Sequence, residues 1–122
     1  MDFRLQPADI DESLLKGEAP GDYVVRMACE KAETVARLYA GHDCAILAAD
    51  TTVVIDGDVL GKPCDHRDGL AMLARLSGRT HEVITAICIA GGGEAASAQV
   101  TTEVQFASLS TAVCEAYLAT DE

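Results

Sequence analysis

Asp50, Lys62 and Lys31 are side chains of the kind that phosphoanhydride hydrolysis uses, and the chain between them can gather them with a hairpin and a helix. Asp50 follows the apolar run Ala45 to Ala49, Lys62 stands in Gly61-Lys62-Pro63 beyond a tight turn, and Lys31 adjoins the apolar stripe of a helix. Such hydrolysis needs in-line attack by water, a base or metal to activate that water, and cations to absorb charge on the phosphate oxygens. An aspartate at a strand end can ligate Mg2+ or accept the water's proton, and the residues alone leave both open. Lysines on adjacent elements can act as point charges. Asp50 is therefore the expected reactive carboxylate, with Thr51, Lys62 and Lys31 around it. An acid and a base meeting at a strand end suit a metal-bound phosphate better than a fold-stabilising ion pair. For Lys31 there is also the plainer reading of a surface lysine snorkelling along a helix border.

The elements that would position these groups follow from the pattern. The unbroken run Ala45 to Ala49 reads as a strand buried on both faces, with Asp50 at its C-terminal end, where open α/β sheets place their ligands. A second apolar run, Thr52 to Ile55, meets Asp56-Gly57, the dipeptide of a type I′ hairpin, and the returning strand Asp58 to Leu60 leads to Lys62. That hairpin is expected to fold Lys62 back towards Asp50.

Ahead of it, Phe3-Arg4-Leu5 reads as a short strand, and Pro20 suits the first turn of a helix. From Val24, apolar residues fall at 24, 25, 28, 32, 35, 36 and 39, one stripe at helical spacing, and Gly41 supplies the stop. Lys31 lies next to this stripe, so its amine can reach the edge of a sheet on which the helix packs. A second helix takes Asp65 as N-cap and Asp68 in its first turn, buries Leu70, Leu73, Ala74 and Leu76, and closes at Gly78. Gly69 inside it costs somewhat under about 1 kcal/mol relative to alanine. His81 to Ala90 reads as an inner strand, and Gly91-Gly92-Gly93 forces a loop. Ala98 to Ala107 alternates Val100, Thr102, Val104 and Phe106 on one face, so the two strands should pair as a long antiparallel hairpin. Ser110 caps a last helix carrying Val113, Ala116, Tyr117 and Leu118. This order gives an α/β class, a mixed β-sheet flanked by helices, in a single domain over 1–122.

Twenty acidic against nine basic residues give a net charge of -11, which repels nucleic acid and anionic membrane surfaces. Steering by net charge therefore cannot bring a polyphosphate in, and a nucleotide ligand would need a divalent cation to offset the local negative charge. An apolar content of 49% without low-complexity tracts argues for a folded chain. No stretch approaches a membrane span and the N-terminus lacks a signal arrangement, so the expected location is cytoplasmic. The cysteines at 29, 44, 64, 88 and 114 are odd in number and form no Cys-x-x-Cys pair; Cys44, Cys88 and Cys114 sit in apolar patterns, as reduced cysteines acting as small hydrophobes do.

Ala49-Asp50-Thr51, then Gly61-Lys62-Pro63, then the run from Leu76 through Ser77-Gly78-Arg79-Thr80-His81-Glu82-Val83-Ile84-Thr85 to Ala86 resemble consecutive motifs of the Maf family, nucleoside triphosphate pyrophosphatases once described as septum-formation inhibitors. The resemblance implies cleavage between the α and β phosphates, giving a nucleoside monophosphate and pyrophosphate, with a divalent cation, Mg2+ or Mn2+, as cofactor. It implies that Asp50 takes the catalytic acid position and that Glu12 helps Asp50 hold the metal, where Glu12 would otherwise read as part of a solvated acidic turn. It also implies that Lys31, in Glu30-Lys31-Ala32, contacts phosphate. Thr51, Lys62-Pro63 and the His81 motif look like the branch acting on dTTP and UTP rather than on methylated GTP; for His81 and Thr85 a structural role stays equally open.

The chain departs from that family pattern at both ends. Nothing in Met1 to Gln6 resembles the Ser-Pro-Arg-type phosphate loop, and no Asp-Lys-Ala-Gly segment follows the last helix. The expected fold is thus a Maf-like, ITPase-like domain truncated at both ends. Loss of a single phosphate-binding donor typically costs about a hundredfold in rate. The first hypothesis is accordingly a pyrophosphatase for nucleoside triphosphates, open to completion by a homodimer partner. The second is a catalytically impaired remnant that binds a nucleotide or a protein.

Overall fold

Turn residues set the strand pairing. The structure, a computed structural model, describes residues 3–120. Its elements are α1 (Pro20–Leu38), β1 (Ile46–Ile55), β2 (Asp58–Leu60), α2 (His66–Leu76), β3 (Thr80–Gly91), β4 (Glu94–Gln105) and α3 (Thr111–Ala119). Asp56 at φ 53° and Gly57 at φ 80° form the expected type I′ turn, which pairs β1 with β2 antiparallel, Ile55 opposite Asp58 and Val53 opposite Leu60. Gly92 and Gly93, both at positive φ, turn β3 back into β4 in the same way. The strands are hydrogen-bonded in the order β2-β1-β3-β4.

The α/β class read from the sequence holds. Neighbouring strands run antiparallel: Thr51 bonds Thr85, and the Cβ position of Gly91 lies 3.4 Å from the Ala45 backbone, so the residue numbers of β3 fall as those of β1 rise. A parallel pair, as in a mixed sheet, would need a further strand, and Phe3 to Leu5 does not supply it. Phe3 and Leu5 are 81% and 84% exposed in coil, because no strand among the described residues pairs with the segment to satisfy its backbone.

β1 corrects two expectations. It is one strand of 10 residues, so Asp50 lies mid-strand and not at a C-terminal end. No turn former separates Ala49 from Val53, and the two threonines favour extended backbone. Nor is Ala45 to Ala49 covered on both faces. Ile46, Ala48 and Asp50 are half-buried, whereas Ala45, Leu47, Ala49 and Thr51 are exposed.

The chain forms two compact units: residues up to 51 with 84–100, and 52–83 with those from 101 onward. In the first, α1 buries Tyr23, Val24, Met27, Ala28, Ala32 and Val35, and β3 contributes Ala86, Cys88 and Ala90 to the core. Tyr23 and Met27 extend the stripe that the sequence pattern traced from Val24. Burial, and then a hydrogen bond with Cys29, push the Cys88 thiol up to about 11. All five cysteines are free, although Cys44 is exposed, unlike the buried Cys88 and Cys114. The other face of this unit's strands has no cover among the described residues, with Leu47 68%, Ile89 47% and Val100 65% exposed.

In the second unit, Asp65 caps α2 by accepting from the Asp68 N–H at 2.8 Å, and Ser110 caps α3 by accepting from the Val113 N–H at 3.2 Å. Arg75 donates to Asp58 at 2.7 Å and Arg79 to Asp56 at 2.6 Å, tying the β1–β2 hairpin down; Arg79 first, then Arg75, hold the Asp56 carboxyl below its ordinary range. Ala74 is exposed, and α3 turns Cys114 and Leu118 inward while Val113 and Tyr117 face out. No helix among the described residues is long and apolar enough to cross a membrane.

Gly69 proves to be a contact residue. A Cβ there would meet the Leu118 methyls at 3.0 and 3.2 Å and Pro63 Cβ at 3.6 Å, so its absence lets α3 approach α2. Gly69→Val is expected to destabilise the protein by about 1 to 2 kcal/mol, overpacking outweighing the gain in helix propensity. A urea titration at constant slope checks it; a more stable variant would mean that the two helices do not need the glycine.

Candidate active site

Helical spacing carries Lys31 into the sheet. Tyr23, Met27 and Lys31 follow one another at four-residue steps on α1, so the Lys31 stem runs along the buried stripe. Alternation along β1 turns Asp50 to the same side as Ile46 and Ala48, the half-buried positions. The two meet: Lys31 Nζ donates to Asp50 Oδ1 at 2.8 Å, with side chains only 25% and 13% exposed. Glu12, on the irregular segment before α1, brings Oε1 to 3.9 Å from the same ammonium. One positive charge therefore lies between two carboxylates, leaving an excess of one negative charge in a partly desolvated place, where charge–charge terms exceed those in water.

Thr51 is separated from the Asp50 carboxylate, because successive residues of a strand face opposite sides. Its hydroxyl lies 3.0 Å from that of Thr85 on the exposed face. Lys62, in the coil after β2, belongs to the second unit; it is exposed and enters no ion pair among the described residues. His81, also in that unit, is 4% exposed and stands edge-on to Phe106 at 4.7 Å, with no hydrogen-bond partner for Nδ1 among the described residues. His81 is thus packed away in the second unit, while Thr85 sits with Thr51.

Two residues that the sequence reading passed over touch this constellation. The Tyr23 hydroxyl donates to the Glu12 carbonyl at 2.6 Å, and Arg26 Nη2 to the Ser13 carbonyl at 2.9 Å. The helical step from Tyr23 to Lys31 is the signal that could have marked Tyr23.

For a divalent cation the donor set is partial but of the right chemistry. Asp50 and Glu12 converge on a position that already accepts a cationic group, the Lys31 ammonium. No cluster of three or more metal-ligating side chains exists among the described residues. One or two carboxylates, with waters and substrate phosphates, are the ligands that hard divalent cations commonly take.

The profile of the family described as Maf-like protein matches residues 1–122. The chain belongs to this family. Its motif resemblance is thereby borne out, and its relatives carry the name of the branch that Thr51, Lys62-Pro63 and the His81 motif resemble. It is 46% identical over 120 residues to the dTTP/UTP pyrophosphatase of Methylobacillus flagellatus, covering 98% of this chain and 60% of that protein. It is 46% identical over 124 residues to that of Anaeromyxobacter dehalogenans, covering 98% and 61%, and 47% identical over 122 residues to that of Syntrophomonas wolfei, covering 98% and 64%. The chain thus spans about 60% of the length of the curated relatives it matches.

The ion pair gives this Maf-like chain a measurable coupling. In a double-mutant cycle of Lys31→Met and Asp50→Asn, the expected interaction is about 1 to 2 kcal/mol, since either single change strands a partly buried charge. Additive effects on denaturant stability would show that the 2.8 Å contact contributes nothing in solution.

Proposed function

We propose that this chain carries nucleoside triphosphate pyrophosphatase activity, cleaving the α–β phosphoanhydride of dTTP or UTP to the monophosphate and pyrophosphate. The observation that carries the reading is the convergence of Asp50, Lys31 and Glu12, with the ammonium 2.8 Å from one carboxylate and 3.9 Å from the other. The names of relatives 46–47% identical over nearly the whole chain supply the substrate class.

In this reading Lys31 presents a positive charge to the phosphate oxygens, which draws it away from Asp50. The freed Asp50 carboxylate can then take the proton of the attacking water, and it is one of the two carboxylates that would hold a divalent cation. Thr51 faces the other side of β1 and takes no part in the contact between Lys31 and Asp50. Asp50 and Glu12 would hold the divalent cation, which when bound supplies charge neutralisation at the phosphates. Such placement of cations where charge develops is the main source of phosphoryl-transfer rate enhancement.

A nucleotide-binding module without turnover is the second reading, and the same contact favours it. A carboxylate engaged by an ammonium at 2.8 Å neither ligates a metal nor accepts a proton unless the substrate displaces it.

The test is release of monophosphate and pyrophosphate from dTTP, UTP and methylated GTP with Mg2+, for this chain and for Asp50→Asn. Turnover on dTTP and UTP that falls at least about a hundredfold in the variant is the expected result. Nucleotide binding by a folded chain with no turnover would replace the enzyme reading by the binding one.

A further inference from the structure

Glu12 lies on a segment that nothing regular supports: residues 3–19 contain neither helix nor strand. Its carboxylate is 60% exposed and 3.9 Å from Lys31, and an exposed pair of that kind contributes little. Ordering even one residue of backbone costs more than such a pair returns. The attraction between Glu12 and Lys31 is therefore too weak to bring Glu12 to the site, and something else holds the segment.

The holding groups come from α1. Tyr23, 9% exposed, donates its hydroxyl to the Glu12 carbonyl at 2.6 Å, and Arg26 Nη2 donates to the next carbonyl, Ser13, at 2.9 Å. Arg26 is itself fixed: Nε and Nη2 form a bidentate pair with Glu18 at 2.7 and 2.9 Å, Nη1 reaches Glu30 at 2.8 Å, and its guanidinium stands 5.6 Å from the Tyr23 ring centre. Glu18 in turn accepts from the Leu15 N–H at 3.2 Å. Burial first, then the Asp50 and Glu12 carboxylates, raise the Tyr23 hydroxyl above its ordinary range, so it stays a donor at neutral pH. Tyr23 lies two helical turns before Lys31 on the same stripe, so the group that pins the Glu12 backbone and the group that faces its carboxylate share one rigid element.

We propose that Tyr23 and Arg26 are positioning residues, a two-point clamp on the Glu12 and Ser13 carbonyls that holds the Glu12 carboxylate beside Lys31 and Asp50. The consequence for metal or substrate rests on the site reading given under Proposed function; the clamp itself does not.

Two readouts on the full chain test it. Tyr23→Phe keeps the ring and removes the donor. It should speed hydrogen exchange of the Ser13 and Leu15 amides about three- to tenfold, the loss of one hydrogen bond, while moving the α1 amides far less. Arg26→Lys, which cannot serve Ser13, Glu18 and Glu30 at once, should do the same at Ser13. Mn2+ affinity, followed by water proton relaxation, should fall by a similar factor in Tyr23→Phe but not further when Tyr23→Phe is added to Glu12→Gln. Exchange unchanged in both variants, or Mn2+ weakened equally with and without Glu12, would overturn the clamp. A wild-type chain that binds no Mn2+ would instead overturn the metal reading of the site, and the exchange rates would still decide the clamp.

Discussion

The contact between the Lys31 ammonium and the Asp50 carboxylate is the interaction on which the site depends, and it constrains the packing around it. A lysine spans the distance from helix to strand only if α1 lies close over β1 and β3. Small side chains permit that: Ala28 and Ala32 on the helix, Ala86, Cys88 and Ala90 on β3, all buried. The buried stripe of α1 that carries the Lys31 stem is thus also part of the core of the first unit.

The same pair explains how so acidic a chain could accept a polyphosphate. At net -11 the field of the whole molecule opposes the ligand, and attraction has to be local. In the first unit a lone ammonium between Asp50 and Glu12 is stable without ligand because the carboxylates satisfy it, and it is exchangeable because Lys31 and Glu12 stay in touch with solvent. Phosphate oxygens compete for the ammonium on equal chemical terms with Asp50. Under the proposed function, the resting ion pair is a placeholder for the substrate contact.

Much of this was legible in the sequence where a residue type dictates its own geometry. Asp56-Gly57 called for a type I′ turn and adopts one; Asp65 and Ser110 called for N-caps and accept the expected backbone N–H groups. Lys31 was legible as a cation beside a helical stripe, since the period of a helix fixes which residues share a side. What the sequence did not reveal depends on partners far away along the chain. The run Ala45 to Ala49 looks like a strand buried twice over, but burial is decided by what lies opposite, and one face here is open. Thr51 adjoins Asp50 in sequence and faces away from it in space, because nothing breaks β1 between them. Gly69 read as a small helical cost and is instead the seat of Leu118. Tyr23 counted as one more aromatic, and only the fold shows its hydroxyl on the Glu12 carbonyl.

The most direct test of the placeholder role is nuclear magnetic resonance of the lysine side-chain ammonium groups, recorded with and without Mg2+ and a non-hydrolysable analogue of UTP. The Lys31 ammonium signal and the Asp50 side-chain carbonyl are expected to shift together on adding the analogue, as the 2.8 Å contact is exchanged for phosphate. A bound analogue that leaves Lys31 and Asp50 unmoved would contradict it, since the nucleotide would then be held elsewhere on the chain.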